Sequence, residues 1–276
     1  MAVKSKQYFP EIFSRHAAAY QKRLDQIMGA GEAPGRQRVI EFVEARPGMR
    51  ILDLACGPGT LTARLAPLVA PGGEVVGVDL APGMVEQARA RGLANTRFEV
   101  MDMEALTFAD CSFDAAVCGH GLQFVPDLQR ALREARRVLG SGCRFAASIP
   151  LGATREKAWD LLEEAASNWL PPAPERPSDN RRTQTVVWSA PAFRDAALSA
   201  GFRNARVEVV EERVRWASAE QIVDLATSWW DFAARIDGVD ERRRDGFRRE
   251  AIASLAGRYP GAIETTSQNH VLLAVA

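Results

Sequence analysis

Two hydrophobic rhythms alternate along the middle of this chain. Residues 49–55 form a short, mostly apolar run holding a single acid, the pattern of a strand buried on both faces. Similar runs follow at 74–78, 97–101, 113–118 and 143–149. Apolar residues at helical spacing mark 60–70, then 82–91 closed by Gly92, then 126–139. Strands and helices in this alternation predict a parallel sheet covered by helices on both faces.

The flanks read differently. In residues 1–46, Ile12, Phe13, Ala17 and Tyr20 fall near helical spacing, Gly29, Gly31, Pro34 and Gly35 interrupt it, and a second helix is expected over 37–45. After residue 150 the expected elements are helices at 159–169, 191–200, 219–235 and 240–258, with strands at 205–214 and 271–276. Pro171, Pro172, Pro174 and Pro177 predict an extended, exposed connection. The organisation expected is an N-terminal helical lid (1–46), an α/β core (47–150) and a C-terminal part (151–276) that completes the sheet and caps it.

Composition narrows the class. The 276 residues are 47% hydrophobic and 25% charged, with 35 basic residues against 35 acidic ones. That suits one large α/β domain with a small cap. A neutral chain exerts no overall pull on a polyanion, so a nucleic-acid partner is not expected. There is neither a secretory pattern nor an apolar run of about 18 residues, so a cytoplasmic location without a membrane span is the expectation. Cys56, Cys111, Cys118 and Cys143 form no C-x-x-C pair and read as reduced core thiols.

The chemistry concentrates at strand ends. Asp53 closes the first strand, and Ala55, Cys56, Gly57, Pro58 and Gly59 lead into a helix. Glycines there let the backbone turn tightly and approach a ligand, and the following helix offers free N–H groups. Asp79 ends the second strand, placed to accept hydrogen bonds from ribose hydroxyls; Asp102 ends the third, placed to accept from an adenine amine. The bland reading is a helix cap or surface acid for Asp79 and a cap or turn acid for Asp102, and the ligand reading is the stronger for each. Together they fit an adenosine-type ligand lying along one sheet edge. A dinucleotide site would want glycine or alanine at Thr62 and no acid so close to a pyrophosphate, which disfavours a dehydrogenase.

The stretches 51–59 (ILDLACGPG), 77–84 (GVDLAPGM), 101–106 (MDMEAL) and 113–117 (FDAAV) resemble the class I S-adenosylmethionine-dependent methyltransferases, in particular the small-molecule group that includes the ubiquinone and menaquinone C-methyltransferases. The resemblance implies a Rossmann-like three-layer α/β sandwich, with a mostly parallel seven-stranded sheet, its last strand antiparallel, and helical lid insertions. It implies S-adenosyl-L-methionine as cofactor. Asp53 and the loop through Ala55, Gly57 and Gly59 would hold the methionine part, and Asp79 the ribose. Leu80 and Met84 would pack on the adenine, and Asp102 with the backbone of Met103 would read its edge. Gly119 would offer its carbonyl to the amino group, and Tyr20 would close over the carboxylate.

The chain departs from that pattern at Ala81, where relatives often carry a capping serine, and at Gln123, a common histidine position. His120, just past the fourth strand, is the candidate catalytic base, with His16 a weaker one and His270 read as structural. All six tryptophans, including the adjacent Trp229 and Trp230, fall after residue 150; they read as a cap core or as the wall of an apolar acceptor pocket. Arg242, Arg243, Arg244, Arg248 and Arg249 read as a solvated helix face. The function expected is methyl transfer to carbon, oxygen or nitrogen of a small hydrophobic or aromatic metabolite. Nucleic-acid or protein methylation, or cofactor binding without transfer, is the alternative. A homodimer is compatible with the sequence.

Overall fold

The computed structural model of the chain describes residues 3–153, 156–227 and 230–276, with the side chains of 152, 153 and 230 outside the description. Three helices come first, α1 (Ser5–Arg15), α2 (Ala17–Gly29) and α3 (Pro34–Phe42). The alternating region follows: β1 (Arg50–Leu54), α4 (Thr60–Val69), β2 (Glu74–Asp79), α5 (Pro82–Ala90), β3 (Thr96–Val100), β4 (Phe113–Gly119), a short 3-10 turn (Leu122–Phe124), α6 (Leu128–Arg137) and β5 (Leu139–Ala153). Then come α7 (Lys157–Trp169), α8 (Arg181–Val187), α9 (Ala190–Ser199), β6 (Asn204–Trp216), α10 (Ala219–Ala226), α11 (Trp230–Asp237), α12 (Glu241–Arg258) and β7 (Ile263–Val275).

The seven strands form one sheet in the order β3-β2-β1-β4-β5-β7-β6. β1 pairs in parallel with both β2 and β4, and β7 runs antiparallel to β5 and β6. This is the Rossmann-like sheet with an antiparallel last strand that the motif pattern implies. Both faces are buried, which is why the strands read as near-continuous apolar runs. Ile51, Val75 and Val117 face one core; Leu52, Val76 and Ala116 face the other. β2 and β4 flank β1 on opposite sides, so the strand order reverses at β1. Ligands of open α/β sheets sit outside the carboxyl ends at such a point.

Several expected elements differ in extent. The helix expected over 219–235 is two, α10 and α11. The strand expected at 271–276 starts at Ile263, since Glu264, Thr265, Thr266, Ser267 and Gln268 hide it behind a polar pattern. Helix α8 follows the proline-rich connection without an apolar stripe long enough to announce it. That connection has no regular structure, as expected, although Pro177 is buried. Of the four cysteines only Cys56 and Cys118 are core thiols; Cys111 is exposed in a turn and Cys143 is half-buried. Trp229 lies outside the described residues, as does the side chain of Trp230. No helix among the described residues is long and apolar enough to cross a membrane.

Candidate active site

A cavity of about 670 Å³ opens over the carboxyl ends of β1, β2 and β4. Tyr20, Asp53, Ala55, Gly57, Asp79, Leu80, Met84, Asp102, Met103, Gly119 and His120 all line it. Gly59 does not. It caps α4 with φ 75°, and a Cβ there would press on Ala88 and Phe98 at 3.2 Å, so its glycine answers to backbone conformation and packing behind the loop.

The two turns that shape the cavity floor are strained. Ala55, just past β1, has φ 51°, and His120, just past β4, has φ 64°. Left-handed conformations at non-glycine residues cost about 1–3 kcal/mol each and cluster at functional sites. The turns also touch: a Cβ at Gly121 would collide with Ala55 and stand 2.8 Å from Cys118 Sγ.

The three acids differ in their partners. Asp53 is 1% exposed; Oδ2 accepts from the Thr62 hydroxyl at 2.6 Å, while Oδ1 is buried without a partner. Burial pushes its carboxyl up to about 7, against the lowering effect of the Thr62 hydrogen bond. Thr62, a mismatch to a dinucleotide fingerprint, thus holds the acid in place. Asp79 accepts from the backbone N–H of Gly57 at 2.8 Å and of Ala81 at 2.9 Å, tying the glycine loop to the second strand; burial raises its pKa also. Asp102 accepts from the Glu104 N–H at 2.9 Å and from Lys6 Nζ at 2.6 Å. Lys6 bridges Asp102 to Glu104, a second buried acid.

Helix α1 roofs the cavity. Phe9 packs on Phe124 with tilted rings 4.6 Å apart, and Phe13 meets Phe124 edge-on at 5.4 Å and Tyr20 edge-on at 5.8 Å. The missing cap at Ala81 is supplied from this roof, because Ser14 Oγ accepts the Gly83 N–H at 3.1 Å. A Cβ at Gly83 would lie 2.5 Å from the Ser14 carbonyl oxygen. On the other side Trp159 meets Trp216 edge-on at 6.3 Å, and Trp216 donates to Thr265 Oγ1 at 2.8 Å. These two tryptophans wall the cavity, whereas Trp169 packs beneath α12 and Trp188 is exposed.

Burial and the nearby Arg36 and Arg23 guanidinium groups hold His120 well below the usual imidazole range; the Asn269 side chain opposes them. His120 is therefore neutral at pH 7, with Nε2 buried and unpaired. His16 lies outside the cavity lining, 3.0 Å from Asp237, and His270 meets the Val187 carbonyl at 2.8 Å, the structural contact expected of it. The basic run on α12 is exposed, as a solvated face.

Lys6, Arg23, Arg36 and Glu212 also line the cavity, as do Thr265, Thr266 and Ser267. None stood out in the sequence. They sit on flanking helices and on polar strand segments, with no motif spacing to single them out.

Residues 51–142 match a family model described as a methyltransferase domain. The demethylmenaquinone methyltransferase of Symbiobacterium thermophilum is 38% identical over 150 residues, 51% of this chain and 59% of that one. The 2-phytyl-1,4-naphthoquinone methyltransferase of Synechococcus elongatus is 36% identical over 143 residues, 49% of this chain and 60% of that one. The chain thus covers less than two thirds of the length of these relatives. The YcgJ protein of Bacillus subtilis shares the fold, with a TM-score of 0.55 at 17% identity over 87% of this chain and 97% of that one. The strand order, the glycine loop at the switch point and this match lead to one assignment: residues 51–142 are a methyltransferase domain built on a Rossmann-like sheet.

Proposed function

We propose that the chain transfers the methyl group of S-adenosylmethionine to a small hydrophobic or aromatic acceptor. The observation that carries this reading is the convergence of Asp53, Asp79 and Asp102, from three strand ends, on one cavity roofed by aromatic rings. The cofactor suits the residues present. Asp53 keeps a buried oxygen without a partner, which the ammonium of an amino acid would satisfy. Nothing lies within 4 Å of where a Gly57 side chain would stand, so the backbone there is open to a ligand.

The cofactor supplies an electrophilic methyl group on a sulfonium. The protein's part is alignment and exclusion of water, and placing the reacting pair about 3–3.5 Å apart supplies about 7–11 kcal/mol. Phe9, Phe13, Phe124, Trp159 and Trp216 provide apolar walls for a flat acceptor. On this reading His120, neutral at pH 7 and part of the cavity lining, is the base for an acceptor that must lose a proton.

The test is turnover. Purified protein is incubated with S-adenosylmethionine and a panel of naphthoquinols, phenols and terpenoids, and S-adenosylhomocysteine is measured. Naphthoquinols come first because two relatives are named for naphthoquinone-type substrates. Acceptor-dependent release supports the reading. Tight cofactor binding with no release for any acceptor class would leave a binding protein instead.

A further inference from the structure

His120 leaves β4 with its backbone pinned. Its N–H donates to the Ser148 carbonyl at 3.0 Å, and its own carbonyl accepts from Gln123 Nε2 at 2.9 Å. The ring has no such anchor. Its Nε2 is buried without a hydrogen-bond partner among the described residues, which leaves Nδ1 as the nitrogen open to the cavity. A base that faces the cavity through Nδ1 needs that nitrogen unprotonated, so the ring proton must sit on Nε2. An N–H held inside the protein then needs an acceptor.

Asn269 on β7 carries one unused. It is 0% exposed and lies behind the cavity lining, and neither its Oδ1 nor its Nδ2 has a partner among the described residues. β5 lies between it and His120, because Gly119 pairs with Ser148 and Asn269 with Pro150. α3 closes over the amide, since a Cβ at Gly35 would stand 3.2 Å from Asn269 Cβ and Cγ. The charged groups that act on the imidazole are Arg36 on α3 and Arg23 on α2, and both oppose its protonation, whereas the Asn269 side chain favours it. An amide does so through its carbonyl oxygen, which accepts from a ring N–H. The unpaired amide and the unpaired ring nitrogen thus answer one another. Hydrogen bonds to a catalytic base are often long in the empty site and tighten once substrate is in place.

We propose that Asn269 is the positioning residue for His120: its Oδ1 accepts from Nε2–H, which fixes the tautomer that turns a bare Nδ1 toward the acceptor. The proton leaves the acceptor for Nδ1, its bonding pair stays on the acceptor as the nucleophile, and the same Asn269 oxygen stabilises the imidazolium that forms. The proposal rests on the reading of His120 as the base for what the ring does, and on the structure alone for how the ring is held.

Nitrogen NMR reads the tautomer directly and needs neither cofactor nor acceptor. Wild type, N269L and N269D, each labelled with ring-15N histidine, are compared at pH 7, with H120N to separate the His120 signals from those of His16 and His270 and thermal melts to establish folding. Wild type should carry the His120 proton on Nε2. N269L should lose that preference, and the Nδ1-protonated ring should appear. N269D, which keeps an acceptor, should hold the proton on Nε2 and titrate His120 at higher pH than wild type. With an acceptor substrate in hand, N269L should lower kcat at least about tenfold with KM little changed, and N269D should retain more of it. A wild-type ring protonated on Nδ1, or the same tautomer in folded N269L as in wild type, overturns the proposal. If N269L does not fold, N269D decides, and a His120 titration no higher than that of wild type overturns it. An unchanged kcat in H120N sinks the base reading alone, and the spectra still test the positioning.

Discussion

Asp53 joins the sequence pattern to the chemistry through a single proton. Its folded-state pKa, near 7, lies above that of a carboxyl in the unfolded chain. The folded protein therefore holds this proton more tightly, and its stabilising effect, complete at low pH, is lost as pH rises from about 4 to about 7. Thermal melts of unliganded D53N are expected to show a shallower decline across that window than wild type. Binding runs the other way, since an ammonium partner wants the anion. S-Adenosylhomocysteine affinity should strengthen by up to about tenfold per pH unit below 7 and flatten above it. D53N should lose the pH dependence together with about 10- to 100-fold of affinity at pH 7.5; titrations at four pH values decide it. His120 invites a different measurement. With an acceptor in hand, H120N should lower kcat about 10²–10⁴-fold while leaving S-adenosylhomocysteine affinity unchanged. An unchanged kcat would remove His120 from the chemistry.

At the scale of elements, α1 is fastened by polar contacts at both ends as well as by the Phe9 and Phe13 rings on Phe124. Ser14 caps α5 and Lys6 bridges Asp102 and Glu104, while Arg15 and His16 meet Asp237 on α11. Gly83 allows the approach of α1 to α5 because a methyl group there would meet Ser14 backbone. G83A should therefore displace the roof while leaving the sheet intact. Limited trypsin digestion should cut at Lys6 or Arg15 at least several-fold faster than in wild type, with a melting temperature within a few degrees of it. Equal cleavage rates would mean that α1 is held by something else. The Lys6 ion pairs are part-exposed and contribute at most about 1 kcal/mol each, so K6M, which itself removes the cut at residue 6, should accelerate cleavage at Arg15 more weakly than G83A.

For the whole molecule, the decisive feature is a sheet that runs unbroken from β3 to β6. β7 sits between β5 and β6, and Leu272 and Leu273 from it enter the cores on opposite faces. The C-terminal strands should thus melt with the N-terminal ones as one cooperative unit. L272A, at a position 0% exposed, should cost about 2–5 kcal/mol. Calorimetry should show one endotherm lowered by about 5–15 °C. Two separated transitions would show that the part after residue 150 folds by itself.

Much of this was legible in the sequence. The apolar runs at 49–55, 74–78 and 113–118 could be read because a strand buried on both faces needs apolar residues at every position. Gly57 and the acids at 53, 79 and 102 could be read because a strand-to-helix turn at a ligand site admits few residue types. What stayed hidden depends on partners far away in the chain. Lys6 finds Asp102, Ser14 caps a helix whose own cap residue is Ala81, and Arg36 reaches the end of β4 from a helix that carries no motif. The first half of β7 stayed hidden too, since Thr265, Thr266 and Ser267, which it turns to the cavity, break its apolar rhythm. Local periodicity and turn chemistry act between near neighbours, so the sequence determined the strands and the glycine loop. The roof, the charge balance of the cavity and the neighbours of each acid depend on long-range packing, and only the tertiary structure decided them.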